Sequence, residues 1–195
     1  MTRRAIVAIV AFAGGAFVLW WLLFSAVPRW FRGTATPGVT PAAAPTAEAQ
    51  RKITATLFFT AEDGLSLVPV QREVPLAEPV VEQARQIILA QIAAPSQPLA
   101  TTIPSDTKLR AIYLSDRGDL FVDFSPELTA RHTGGSLDEL FTVYAIVNAA
   151  TVNLPAITRV QILIDGKEVD TLAGHVDLRN PLAKNLTWVR SENPS

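Results

Sequence analysis

The chain has 195 residues, room for one domain of ordinary size with extensions at its ends. A formal net charge of -1 and a pI near 6.1, with no block of like charge, exclude an electropositive nucleic-acid face. Cysteine is absent, which excludes thiol nucleophiles, thiolate metal sites, disulfides and an acylated lipoprotein cysteine.

Residues 1–4 form a short head carrying Arg3 and Arg4, and residues 5–27 contain neither a charge nor a proline. As a helix that run crosses a hydrocarbon core of roughly 30 Å. Trp20, Trp21 and Trp30 gather at its far end, where amphipathic rings favour the interface. The basic residues on the two sides, Arg3 and Arg4 against Arg29 and Arg32, nearly balance; the short head favours a signal anchor with its N-terminus in the cytoplasm. The competing expectation is a cleaved signal peptide, for which Ala42-Ala43-Ala44 offers a site. Residues 28–50 are rich in Pro, Ala and Thr without hydrophobic period, and predict a semi-extended tether.

The folded domain is expected over residues 51–185, with a tail over 186–195. Ile53, Ala55, Leu57 and Phe59 alternate with polar residues as a strand does, and Asp63-Gly64 supplies a turn into a second strand, which Pro69 confines to an edge or a bulge. Pro79 suits the first position of a helix whose core stripe is Val80, Val81, Ala84, Ile87, Ile88 and Ile92. Residues 109–114 and 120–124 read as two strands turning at Arg117-Gly118. Ser136 and Glu139 have the spacing of a capping box at the start of a second long helix with Leu137, Leu140, Phe141, Tyr144, Ala145, Val147 and Val152 facing the core. Val160, Ile162 and Ile164 form the next strand, and Asp165-Gly166 turns into a shorter one. The sum is an α+β fold, two helices packed on one face of an antiparallel or mixed sheet in two layers, preceded by one N-terminal transmembrane helix. The long link through the second helix predicts parallel pairing of the strands on either side of it.

The strings DFSPEL, HTGGSLDELFTVYAIVNAAT and VQILIDGKEVDTLAGHVDL resemble the GerMN domain of bacterial sporulation and spore-germination lipoproteins and of other envelope proteins. The resemblance covers residues 109–182 and extends more loosely back to residue 53. It implies a kinship to the α-β-β-α-β ring-building motifs of secretion and sporulation channel proteins, an order that residues 79–164 follow. It implies also a non-catalytic interaction or assembly module of the cell envelope, outside the cytoplasmic membrane and held there by a single pass through residues 5–27. Envelope proteins or further copies of the chain are the implied partners.

Asp123, Glu127, His132, Glu139, His175 and Asp177 are the residues from which an acid–base or metal site would be built, but no metalloprotease, nucleophile-elbow or phosphate-loop motif joins them. No catalytic residue, metal or cofactor is expected. Phe141 and Tyr144 are expected in the core, Asp123 and Asp177 facing solvent or capping loops, and His175 bonded to nearby backbone. The glycine-bordered loops offer the alternative of a peptidoglycan or small-ligand site, with His132, Gly134, Gly135, Ser136, Gly174, His175 and Asp177 as its candidate residues, and a cell-wall-acting enzyme is the remaining alternative.

Overall fold

The computed structural model describes residues 51–96 and 98–190. The expected head, membrane-crossing segment and linker lie outside the described residues, as do the last five residues of the tail. Among the described residues no helix is long and apolar enough to cross a membrane.

The first two strands, β1 (Lys52–Thr60) and β2 (Leu67–Pro75), form an antiparallel hairpin of their own. Phe58 lies opposite Pro69, and the Phe58 N–H and C=O are engaged from the far side by Gln91. Pro69 therefore sits where the ladder needs no donor, on the outer edge, which is how a proline is tolerated in mid-strand. Helix α1 (Val80–Ile92) follows, with Pro79 one position earlier than expected, as the extended N-cap residue. Ala84, Ile87 and Ile88 are fully buried, whereas Val80, placed in the core stripe by the sequence, is exposed because it lies before the helix has turned onto its partners.

The second sheet is mixed. Its members are β3 (Leu109–Leu114), β4 (Asp119–Phe124), β5 (Arg159–Ile164), β6 (Lys167–Glu168) and β7 (Leu182–Ala183), in the order β3-β4-β5-β6 with β7 also paired to β5. A one-turn helix α2 (Glu127–Ala130) and the long helix α3 (Ser136–Asn153) connect β4 to β5, and these two strands are parallel, as a crossover of that length permits.

The fold is α+β, but a single sheet in two layers is not what the chain builds. Helix α3 buries eleven of its eighteen residues. Phe141, Ala145 and Ala149 face a core made with Ala55, Leu57, Phe59 and Val74 of the hairpin, while Val143, Ile146, Val147 and Ala150 face a second core made with Leu120, Val122, Phe124, Val160 and Ile162 of the mixed sheet. Helix α1 is divided likewise, Ile87 to the hairpin and Ala84 and Ile88 to the sheet. The physical reason is that a helix apolar around most of its circumference has to be covered on more than one side.

The hairpin is separate from the mixed sheet because its inner edge is already occupied. Gln91 of α1 accepts from the Phe58 N–H at 2.9 Å and donates to its C=O at 2.8 Å. Asn153, the last residue of α3, does the same for Thr56, both at 2.8 Å. Ala100 exchanges two backbone bonds with Thr60. Side-chain amides thus take the place of a neighbouring strand, satisfying buried backbone groups that would otherwise be costly. On the opposite edge, Leu67 pairs with the backbone of Trp188 and Arg190.

Candidate functional site

Both glycine-bordered loops are anchored on the first two turns of α3. The left-handed φ of +87° at the N-cap is taken by Gly135, so Ser136 is the first helical residue and makes no capping bond. The capping box is overturned, and the fate of Glu139 explains why. Its side chain is fully buried and turned away from the helix start. It accepts backbone N–H bonds at 2.8 Å from Leu172 and from His175, and meets the His175 imidazole Nδ1 at 3.1 Å. The 171–176 loop thus hooks around one carboxylate. Burial pushes the Glu139 carboxyl up, yet the N–H groups of Ala173, His175, Leu172 and Val176 outweigh it and hold the group below its ordinary 4.5. Glu139 is thus a buried anion stabilised by a ring of amides.

The bend that brings these amides inward lies at Gly174, whose φ is +97°. The half-exposed His175, its Nδ1 directed at the carboxylate, lines a cavity of about 240 Å3 together with Asp170, Thr171, Asp177 and Arg179. Asp177 is exposed and bonded twice to Arg179, at 2.9 and 2.6 Å. That guanidinium, with the Arg179 backbone N–H, draws its pKa down to about 2.

His132 precedes the same helix. Its Nδ1 accepts from the Gly134 N–H at 3.0 Å, which puts the proton on Nε2, and Nε2 donates to Thr142 Oγ1 at 2.9 Å; that hydroxyl donates onward to Thr102 at 2.8 Å. His132 therefore ties the loop to α3 and to the linker before β3. The two histidines are brought to one end of α3, on Glu139 and Thr142, but each is engaged with its own loop. Asp123, expected at the surface or as a loop cap, is buried, where it accepts from the Gly166 N–H at 2.7 Å and from Arg110 at 3.2 Å. It stabilises the tight turn between β5 and β6. Glu127 starts α2 as a half-buried acid whose pKa is lowered by a hydrogen bond from Ser125. Among the described residues no three of His, Asp and Glu converge closely enough to hold a metal ion.

Sequence reasoning missed the clamps that the side-chain amides of Gln91 and Asn153 make. Asn148, which the sequence leaves open between a bond across to a strand end and an outward direction, accepts from the Asn185 N–H at 3.0 Å and donates to its C=O at 2.7 Å, pinning the C-terminal segment to α3 just past β7. An Asn or Gln on the apolar part of a helix is the signal that could have found them, since a buried amide has to be paired.

An α+β domain in which two helices are shared between a closed hairpin and a mixed sheet, with a loop hooked on the helix start, is thus the class of protein that the geometry defines. A family model described as "Germane: Sporulation and spore germination" matches residues 56–170, more than half of the chain, and the protein belongs to that family. Among solved structures, a candidate lipoprotein of Clostridium perfringens is 27% identical with a TM-score of 0.50, over 68% of this chain and 88% of that one. The tandem GerMN domains of the sporulation protein GerM from Bacillus subtilis are 19% identical with a TM-score of 0.54, over 68% of this chain and 46% of that one. The latter likeness is one of fold. No curated protein sequence matches the chain.

Proposed function

We propose that the chain is an interaction and assembly module of the cell envelope, serving sporulation or germination in organisms that form spores, and working by binding other proteins without transforming them. Residues 5–27 cross the cytoplasmic membrane once, residues 28–50 act as the tether, and the folded domain stands outside the cytoplasm. The solved relative described as a lipoprotein supports this placement, residues 5–27 serving as the anchor in this cysteine-free chain.

The observation that carries the binding role is the contrast between strand edges. Both edges of the hairpin are at least partly closed by side-chain amides or by backbone of the C-terminal segment, whereas the outer edge of β3 has no pairing partner among the described residues. Tyr113, 61% exposed, stands on that strand beside it. An open strand edge with an exposed aromatic residue is a template for a partner's strand. Crosslinking in native membranes tests this, comparing the wild type with Tyr113→Lys, which places a repelling charge on an edge whose fold does not depend on that side chain. Loss of the partner adducts is expected; an unchanged adduct pattern would remove the basis for the reading.

A further inference from the structure

The direction of the backbone groups on β3 follows from bonds on either side of its hairpin with β4. The Ser115 N–H donates to the Asp119 C=O at 2.9 Å, and hydrogen-bonded pairs alternate along an antiparallel ladder, so Tyr113 turns its N–H and C=O toward Phe121. The Phe124 C=O accepts from the Asp165 N–H at 3.0 Å, on the β5 side, which gives the same alternation from the other strand. Ile112 and Leu114 therefore direct their N–H and C=O outward, and nothing bonds to those groups among the described residues. Between them Tyr113 lies opposite the half-buried Phe121 on one face of the sheet, and neither belongs to the two cores.

This edge is complementary to itself. Two antiparallel β3 strands related by a two-fold axis at Tyr113 place Ile112 opposite Leu114 of the other copy, and the outward groups of both residues then bond in each direction. Tyr113 falls opposite its own counterpart as a non-hydrogen-bonded pair, with Cα atoms about 4.5 Å apart, so that Phe121, Tyr113 and their counterparts make one aromatic row across the joined sheets. The charges agree with this register. Lys108 and Asp116, at the two ends of the strand, are exposed and belong to no ion pair among the described residues, whereas Arg110 is held by Asp123 and Asp165 and Arg117 lies beside Asp119. In the antiparallel arrangement each Asp116 stands opposite Arg110 of the other copy and on the diagonal from its Lys108, a span of about 7–8 Å that a long side chain reaches.

We propose that the partner of the open edge is a second copy of this chain, paired antiparallel through β3 about Tyr113 so that the two mixed sheets become one. The inference rests on the reading of β3 as a binding edge and adds the identity and register of what binds there.

The absence of cysteine makes the test direct, because Tyr113→Cys supplies one thiol per copy, at the two-fold axis and at a separation that suits a disulfide. Oxidation of the full-length variant in native membranes should give a covalent dimer of twice the chain mass. Its yield should exceed that of Leu65→Cys, a 68% exposed position on the hairpin turn, by about tenfold or more, since pairing raises the local thiol concentration. Lys108→Asp or Asp116→Lys, added to Tyr113→Cys, should each lower the yield about fivefold by setting like charges against each other, and the two together should restore it. A yield no greater than that of Leu65→Cys, or a charge exchange that fails to restore it, would overturn the proposal. No Tyr113→Cys dimer, with adducts to other proteins still lost in Tyr113→Lys, would reject self-pairing and leave the edge reading standing. No dimer, with adducts unchanged in Tyr113→Lys, would reject both.

Discussion

Replacing Glu139 tests the loop anchor directly. Glu139→Ala removes the acceptor of the buried Leu172 N–H and of the part-buried His175 N–H. Stranding a buried donor costs about 1–3 kcal/mol, and the second, which water reaches, costs less, so a total of roughly 2–4 kcal/mol is expected. For a domain of this size that lowers the melting temperature by roughly 5–15 °C. Glu139→Gln keeps the volume and one acceptor oxygen, and should lose about half as much. The pH dependence follows from the lowered pKa. A carboxyl whose folded value lies below its ordinary 4.5 contributes stability that is complete above pH 4.5 and is lost as the pH falls through the folded value. Thermal melts of wild type and Glu139→Gln from pH 7 down to pH 3 should therefore show a gap that is constant above pH 4.5 and narrows below it. A gap within 2 °C of zero at pH 7, or one of unchanged width at pH 3, would refute the buried anion as the anchor.

Four other substitutions probe the same framework. Gln91→Ala and Asn153→Ala should each cost about 1–3 kcal/mol in urea unfolding and expose a strand edge, so that the double variant aggregates at concentrations where the wild type remains dispersed. Gly118→Ala meets two obstacles, a φ of +82° and a Cβ that would lie 2.8 Å from the Ala156 carbonyl oxygen. A loss of about 1–3 kcal/mol is expected from denaturant melts. Asp177→Asn should leave the melting temperature nearly unchanged, within about 0.5 kcal/mol, because its pair with Arg179 is exposed and screened by water.

Much of the fold could be read from the residues. The alternation at Ile53, Ala55, Leu57 and Phe59, the stripe of α1 and the pairing of β4 with β5 across a long connection all follow from local period and chain length. The number of sheets was missed, since a single sheet was expected; the overlooked feature is that Val143, Ile146, Val147 and Ala150 face away from Phe141, Ala145 and Ala149, so α3 is apolar on opposite sides and needs two covers. The strands β6 and β7 and the helix α2, of two to four residues, are too short to carry a period. The site was less legible because its decisive contacts are distant in sequence. Ser136 and Glu139 have the spacing of a capping box, but Glu139 is recruited by amides more than thirty residues later. No local rule weighs that competition, in which several buried N–H groups outbid a single one at the helix start.

Hydrogen exchange of β3 in native membranes compared with the purified protein tests the central claim most directly. The amides of Thr56, Phe58 and Thr60 are already bonded to Asn153, Gln91 and Ala100 and should exchange slowly in both samples. The account predicts that the outer-edge amides of β3 exchange rapidly in the purified protein and become protected in membranes, where a partner's strand pairs with them. Equally rapid exchange in both, with protection gained elsewhere on the domain, would contradict it.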